Sequence, residues 1–214
     1  MSRETEIAGF MARHGFGSAR TETLAPDASL RRYLRLRGGP CPAVLMDAPH
    51  AEDLRPFLRI GAHLAALGLS VPEAYAVDEA AGLLLLEDLG DALFPRAMAC
   101  ESRPALFDAA VDVLAVMQEA SPPPDLPAWG AEAMAATAEA TLLDWWWPAS
   151  FGQPAPPEAR QDFAAALRTM LAPLQVAEGV FVHRDYFAGN LIWLPDRRGS
   201  RRVGILDFQS ASMG

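Results

Sequence analysis

One stretch near the carboxyl end of the sequence brings together residue types that suit the transfer of a phosphoryl group. Asp185 and Asn190 lie on one short segment, and a second carboxylate, Asp207, follows an apolar run further on. A carboxylate on a tight loop can accept the proton of an attacking hydroxyl. An amide oxygen and another carboxylate can hold Mg²⁺ against phosphate oxygens, because Mg²⁺ prefers hard oxygen ligands and takes few of them from protein. The three residues therefore predict metal-assisted phosphoryl transfer.

The elements on either side of these residues would place them close together. Short apolar runs predict strands over residues 191–194 and 203–206, and the charged residues 196–200 predict a turn between them. Such a hairpin brings Asn190, at the start of the first strand, next to Asp207, at the end of the second. Because isolated Asp and Asn residues are common as caps and turn formers, the prediction depends on the joint pattern of loop, strand, turn and strand.

The bulk composition fits a globular protein and weighs against some classes of partner. The chain has 214 residues, of which 51% are hydrophobic, and a formal net charge of -9. An acidic balance argues against nucleic acid as a partner, because phosphate backbones attract basic surfaces. The two cysteines do not suggest a disulfide framework. The sequence shows no signal-peptide pattern and no apolar run that could span a bilayer, so we expect a cytoplasmic protein without membrane association.

The first part of the chain predicts a small sheet with accompanying helices. Apolar residues at helical spacing predict helices over residues 2–14 and 51–67, each followed by a glycine. Short apolar or alternating runs between turn residues predict strands over residues 20–25, 30–37, 43–46, 72–77 and 82–86. We expect the first three of these strands to form a small antiparallel sheet.

An acidic segment that ends in glycine, residues 87–90, follows the last of these strands and predicts a hinge. Beyond it the pattern changes to helices, which are predicted over residues 103–119, 131–147 and 158–172. The order predicts an α+β fold with two lobes, a sheet-containing N-lobe of residues 1–90 and a mainly helical C-lobe of residues 91–214. A cleft between lobes is a favoured place for a small ligand.

These motifs resemble those of the aminoglycoside phosphotransferase family, a small-molecule branch of the protein-kinase-like fold. Kinase catalytic loops carry His-Arg-Asp followed by Asn, and a metal-binding Asp precedes a Phe further on. Four stretches are similar to the bacterial members that phosphorylate the anomeric hydroxyl of N-acetylmuramate and N-acetylglucosamine in cell-wall sugar recycling, namely residues 31–33, 45–49, 84–90 and 205–209. The resemblance covers nearly the whole chain and implies a two-lobed kinase-like enzyme.

The resemblance also implies roles for individual residues. Asp185 would be the catalytic base or the carboxylate that orients the acceptor hydroxyl, and Asn190 and Asp207 would bind Mg²⁺. The remaining implied contacts belong to ATP: the backbone at Glu87, Asp88 and Leu89 would meet the adenine, and Ser29, Arg31 and Arg32 would cover the phosphates.

Three departures from the family pattern affect these assignments. The sequence has no lysine, and Met46 stands where a strand lysine usually grips the phosphates. Either Arg31 or Arg32 replaces that lysine, or the affinity for nucleotide is low. Residues 29–32 also lack the glycines of the usual phosphate loop. The family normally continues with helices that help form the acceptor site, so we expect a fragment or a truncated gene product that ends soon after Asp207.

The predicted function is an ATP-dependent phosphotransferase that acts on the anomeric hydroxyl of an N-acetylated amino sugar. Two alternatives stay open: a non-catalytic nucleotide-binding module, and a kinase for an aminoglycoside, choline-like or homoserine-like alcohol. Residues 145–147 are three consecutive tryptophans, which either offer a stacking surface for a sugar or pack inside the fold. The sequence predicts no particular oligomeric state.

Overall fold

The computed structural model describes residues 2–24, 31–48, 52–174 and 179–214. The chain forms two compact units. The first comprises Met1–Val116 and Asp185–Ser210, and the second comprises Met117–Arg184 and Ala211–Gly214. Because both sides of residue 90 belong to the first unit, the division into lobes of residues 1–90 and 91–214 stays a prediction.

A five-stranded antiparallel sheet forms the framework of the first unit. Its strands are β1 (Arg20–Thr23), β2 (Arg32–Arg37), β3 (Ala43–Asp47), β4 (Ala74–Asp78) and β5 (Leu83–Glu87), in the spatial order β1-β2-β3-β5-β4. The central strands β3 and β5 are buried along nearly their whole length, as their unbroken apolar sequences require. All five predicted strands are present, and the sheet is larger than the three-stranded one we expected.

Helix α1 (Arg3–Arg13) covers one face of this sheet. Ser2 caps the helix, since its side chain accepts a hydrogen bond from the Thr5 N–H. The buried stripe of α1 packs against the side chains of alternate residues on the central strands; the cluster includes Ile7, Phe10, Met11, Leu45, Leu83 and Leu85. The alternation of a strand then leaves Val44 and Leu86 on the opposite face, which is the face that lines the cavity described below.

Helix α2 (Arg55–Ala66) is shorter than predicted because it begins four residues later than the expected start at residue 51. Pro56 occupies its first turn, where the missing N–H of proline costs nothing. Gly68, with φ of 76°, follows the end of the helix in the left-handed conformation. The buried face of α2 carries Phe57, Ile60 and Leu64.

The remaining helices follow the prediction in part. They are α3 (Phe94–Ala97), α4 (Arg103–Glu119), α5 (Ala131–Glu139), α6 (Trp147–Phe151) and α7 (Pro157–Leu171). Helix α4 has the predicted bounds, and α7 begins and ends one residue earlier than predicted. The predicted single helix over residues 131–147 is wrong, because a π-helix, Ala140–Trp146, separates α5 from α6. Trp145 is 72% exposed, whereas Trp147 packs against Phe151 with ring centroids 4.8 Å apart.

Four short strands complete the fold and belong to two separate pairs. Strands β7 (Leu191–Trp193) and β8 (Val203–Ile205) form the predicted hairpin in the first unit. Strands β6 (Phe181–Val182) and β9 (Ser212–Met213) pair in the second unit and were not predicted, since two residues carry no periodicity. No helix within the described ranges is both long enough and apolar enough to cross a bilayer.

Candidate active site

The β7–β8 hairpin brings two of the predicted site residues together. Leu191 pairs with Ile205 at the open end of the hairpin. One residue further out, the Leu206 N–H donates a 2.9 Å hydrogen bond to the carbonyl oxygen of Asn190. Asp207 follows directly, and both Asn190 and Asp207 line the same cavity. The hairpin therefore delivers an amide and a carboxylate to one place, as its sequence predicted.

The loop before the hairpin is closed by hydrogen bonds to the backbone carbonyl of Asp185. This oxygen accepts from the Phe187 N–H at 3.1 Å and from the Asn190 side-chain amide at 3.1 Å. The Tyr186 hydroxyl donates to the Ala110 carbonyl oxygen on α4 at 2.8 Å, and burial raises the pKa of Tyr186, so that the hydroxyl stays protonated. Asp185 is exposed. It lies on a loop that hydrogen bonds hold at the Asp185 carbonyl oxygen and at the Tyr186 side chain.

Asp207 adopts an unusual backbone conformation that its neighbours maintain. Its φ is 57°, in the left-handed region, which costs a non-glycine residue about 1–3 kcal/mol. The next residue, Phe208, is completely buried and stacks on Phe57 of α2 with ring centroids 4.9 Å apart. The Gln209 side-chain amide also donates a hydrogen bond to the Asp207 carboxylate. Strained residues of this kind cluster at functional sites, and here the packing of Phe208 and the hydrogen bond from Gln209 hold the Asp207 carboxylate in place.

A cavity of about 580 Å³ in the first unit connects the hairpin with the hinge segment. This volume lies within the range of small-molecule sites, roughly 300–1,000 Å³. Five of the predicted site residues line it, namely Glu87, Asp88, Leu89, Asn190 and Asp207. Apolar side chains from the sheet, including Val44 and Leu86, form much of its wall. The cavity thus offers an apolar surface at the hinge end and oxygen donors at the hairpin end.

The residues predicted to contact phosphates are placed differently. Within the part of the chain that the structure describes, the cavity lining includes none of Arg31, Arg32 and Met46. Arg31 donates to the Glu52 carboxylate at 2.6 Å, and Arg32 donates to the Asp47 carboxylate at 2.8 Å. Met46 is completely buried, and Ser29 lies outside the described residues. The assignment of these four residues to the phosphates stays a prediction. Asp185 is also not among the described residues that line the cavity, and its catalytic role stays a prediction too.

Arg35 is a cavity residue that sequence reasoning missed. Its guanidinium contacts the Asp88 carboxylate at 2.7 Å and the Gly90 carbonyl oxygen at 3.2 Å, and it also pairs with Asp91. The hydrogen bond from Arg35 to Asp91 holds the pKa of the Asp91 carboxyl below its usual range. The Gly90 N–H in turn donates to the Asp88 carboxylate at 2.9 Å. The sequence indicates the position of Arg35 only weakly. Alternation along β2 puts Arg35 on the same face as Tyr33, but no local sequence pattern indicates that its partners are Asp88 and Asp91.

The donor set at the hairpin suits Mg²⁺ better than a transition metal. Among the residues that the structure describes, no group of three or more His, Cys, Asp or Glu side chains could hold a metal ion. Asn190 and Asp207 instead offer one amide and one carboxylate, and Mg²⁺ usually completes its shell with phosphate oxygens and water. Because the Asn190 side-chain nitrogen donates to a carbonyl, the orientation of the amide is fixed and its oxygen is the atom left for a cation.

Comparison with known proteins shows that this chain is similar to phosphotransferases. Residues 20–214 match the phosphotransferase enzyme family. A protein of Caulobacter vibrioides named N-acetylmuramate/N-acetylglucosamine kinase is 35% identical over 253 residues, a match that covers 98% of this chain and 68% of the relative. A protein of the same name from Pseudomonas aeruginosa is 33% identical over 204 residues, covering 94% of this chain and 59% of the relative. The chain therefore spans between about three fifths and two thirds of these curated relatives.

The fold is shared with solved aminoglycoside phosphotransferases. A ternary complex of streptomycin, ATP and the phosphotransferase APH(2'')-IIa matches with a TM-score of 0.68 at 13% sequence identity, over 100% of this chain and 73% of that one. At this identity the likeness establishes the architecture alone. The predicted protein-kinase-like α+β fold is confirmed.

Proposed function

Since this chain belongs to the phosphotransferase enzyme family, we propose that it transfers the γ-phosphoryl group of ATP to a hydroxyl of an amino sugar. The relatives named N-acetylmuramate/N-acetylglucosamine kinase, at 30–35% identity, support this class of reaction and this class of acceptor. The observation that carries the proposal is the cavity that Asn190 and Asp207 share with the hinge residues. ATP as the donor also suits a cytoplasmic location.

In the proposed reaction Asp185 orients the acceptor hydroxyl and takes up its proton. The hydroxyl oxygen forms a bond to the γ-phosphorus as the bond to the bridging oxygen of ADP breaks. Catalysis of this kind depends on positioning and on charge neutralisation rather than on covalent chemistry by the protein. The two hydrogen bonds to the Asp185 carbonyl restrict the loop from which the carboxylate projects. Mg²⁺, held by Asn190 and Asp207, would supply the positive charge beside the phosphate oxygens.

The hinge suggests which backbone group meets the nucleotide base. The Glu87 N–H donates to the Glu73 carbonyl oxygen at 2.8 Å, and the Asp88 N–H points to the Pro42 carbonyl oxygen at 3.5 Å. The Leu89 N–H has no acceptor among the described residues, although Leu89 lines the cavity. We therefore assign the adenine contact to the Leu89 backbone, next to the apolar wall that the base would cover.

The experiment that tests the proposal is phosphorus NMR of the purified chain with Mg·ATP and either N-acetylglucosamine or N-acetylmuramate. We expect a sugar 1-phosphate signal. Asp185→Ala should slow its appearance by about 10²- to 10⁴-fold, which is the usual cost of losing a general base. Asp162→Ala, at an exposed position on α7, is the matched control and should keep the wild-type rate.

The alternatives correspond to other outcomes of the same measurement. Intact ATP binding without phosphorylation of any sugar would indicate a nucleotide-binding module and contradict the proposed reaction. Phosphorylation of an aminoglycoside or of choline, but not of the amino sugars, would keep the phosphotransferase and overturn the acceptor. Removal of Mg²⁺ with EDTA should abolish product formation, because the metal neutralises the charge of the phosphate oxygens during transfer.

A further inference from the structure

The segment after α2 is attached to the β7–β8 hairpin through one buried serine. Ser70 is 2% exposed, and its hydroxyl donates to the Arg201 carbonyl oxygen at 2.8 Å. Its own carbonyl oxygen accepts from the Ile205 N–H at 2.8 Å. Arg197, in the connection between β7 and β8, donates to the Ser70 hydroxyl oxygen at 2.8 Å. These contacts fix the strand that ends two residues before Asp207.

The same arginine reaches the strand that leads into the hinge. Its second terminal nitrogen donates to the Glu87 carboxylate at 2.6 Å. Glu87 is the last residue of β5, and its side chain is 24% exposed, against 28% for that of Arg197. One guanidinium therefore contacts both the serine that holds the hairpin and the residue from which the hinge begins. We refer to Ser70, Arg197 and Glu87 as the hairpin–hinge bridge.

We propose that Arg197 is a positioning residue for nucleotide binding, and that it acts by holding the hinge segment in register with the hairpin that carries Asp207. The inference rests on the proposed function, because it assigns no role to Arg197 unless the cavity takes a nucleotide. Within the described residues, Glu87 lines the cavity and Arg197 does not. Arg197 therefore contacts the described lining of this cavity through Glu87.

The chemistry of the bridge requires arginine. The planar guanidinium offers several N–H donors in a fixed fork, so it can bind two partners at once. A lysine ammonium could keep the pairing with Glu87 but would not hold Ser70 in the same geometry. Arg198 is the neighbouring residue, is exposed, and provides a matched position of the same charge in the same turn.

The bridge differs from an ordinary surface ion pair. Exposed pairs contribute little because water screens them and because ordering two long side chains costs entropy. Here the buried Ser70 holds the guanidinium from one side, and the side chains of Arg197 and Glu87 are only partly exposed, at 28% and 24%. A partly desolvated carboxylate that loses its cation is also harder to retain in place, so removal of Arg197 should free the Glu87 side chain and loosen the start of the hinge, although the Glu87 backbone stays paired in the sheet.

Isothermal titration of the full chain with Mg·ATP tests this proposal without requiring the acceptor. We expect Arg197→Ala and Glu87→Gln to raise the Kd for Mg·ATP about five- to tenfold, which corresponds to the net contribution of one ordinary hydrogen bond. Arg197→Lys should lie between wild type and Arg197→Ala. Arg198→Ala should stay within about twofold of wild type, since it removes the same charge without breaking the bridge. Melting temperatures of all variants are measured in parallel.

Each outcome bears on the inference. An unchanged Kd in folded Arg197→Ala would overturn it, and so would a lowered melting temperature with unchanged affinity, which would make the bridge purely structural. An equal loss in Arg198→Ala would reduce the effect to general electrostatics and overturn the positioning role. If Arg197→Ala does not fold, Glu87→Gln, which conserves shape, gives the result. Absence of Mg·ATP binding by the wild-type chain would overturn the proposed function and this inference together.

Discussion

At the scale of single residues, the cavity depends on charges that are buried in pairs. Arg35 and Asp88 have side chains that are 5% and 8% exposed, and they contact each other at 2.7 Å. Their mutual attraction offsets the cost of removing both from water, so removing one leaves the other buried and unpaired. The pair therefore supports the hinge only as long as both members are present.

We expect Arg35→Met to lower the free energy of unfolding by about 3 kcal/mol, the low end for breaking a buried ion pair. Urea denaturation measures this change. Arg37→Met is the control on the same strand, because Arg37 pairs with Glu22 at 3.4 Å with both side chains 58% exposed. That control should change stability by no more than about 0.5 kcal/mol. Equal losses in the two variants would show that burial of Arg35 has no energetic consequence.

The site could be predicted from the sequence as far as its chemistry is local. Asp185 and Asn190 lie on one loop and Asp207 follows the next hairpin, so the similarity to a kinase catalytic loop and the predicted hairpin indicated them, and the hairpin pairing agrees. Arg35, Ser70 and Arg197 were missed because their partners come from distant parts of the chain. These contacts form only when the sheet and the hairpin pack together, so the periodicity of the local sequence cannot predict them.

At the scale of elements, the hairpin is positioned by the close approach of α2. A Cβ added to Gly61 would lie 3.2 Å from the ring of Phe208, the residue that follows Asp207. Phe208 is completely buried and stacks on Phe57, so it has little room to move. Glycine is otherwise a poor helix former. Its presence in the middle of α2 is explained by this packing, which the helical periodicity of the sequence does not reveal.

Two glycine-to-alanine substitutions separate helix propensity from this packing. Gly9→Ala in α1 should stabilise the protein by about 0.5–1 kcal/mol, since alanine favours the helix and the added methyl meets only ordinary contact at 3.6 Å. Gly61→Ala gains the same propensity but crowds Phe208, and we expect a net loss of about 1 kcal/mol from overpacking. Urea unfolding of both variants measures the difference. A similar gain at the two positions would show that Phe208 yields freely.

The secondary structure was predictable wherever an element was long and periodic. Helices α1, α4 and α7 lie within one residue of their predicted bounds at each end. The prediction failed at the π-helix Ala140–Trp146, because seven residues are too few to distinguish the wider turn of a π-helix from that of an α-helix. Short elements such as α3 were also missed, since four residues are too few to show a period.

At the scale of the whole molecule, the described cavity belongs to one unit. All of its described lining residues fall within Met1–Val116 and Asp185–Ser210. A ligand that binds only the folded state stabilises it by an amount set by its concentration relative to Kd, about 2.7 kcal/mol at one hundred times Kd. Stability is not uniform across a structure, and separate units can open independently. We therefore expect ligand binding to stabilise the first unit, which contains the cavity, and to leave the stability of the second unit unchanged.

Hydrogen exchange followed by mass spectrometry measures how this stabilisation is distributed. At one hundred times Kd of Mg·ATP, amides of β5 and of the β7–β8 hairpin that exchange through opening of the first unit should exchange about one hundred times more slowly. Amides of α7, in the second unit, should keep their rates. Equal protection of α7 would mean that the two units open together, whereas protection confined to α7 would place the nucleotide outside the described cavity. Because the readout needs no acceptor, it tests the location of the nucleotide independently of the sugar that receives the phosphoryl group.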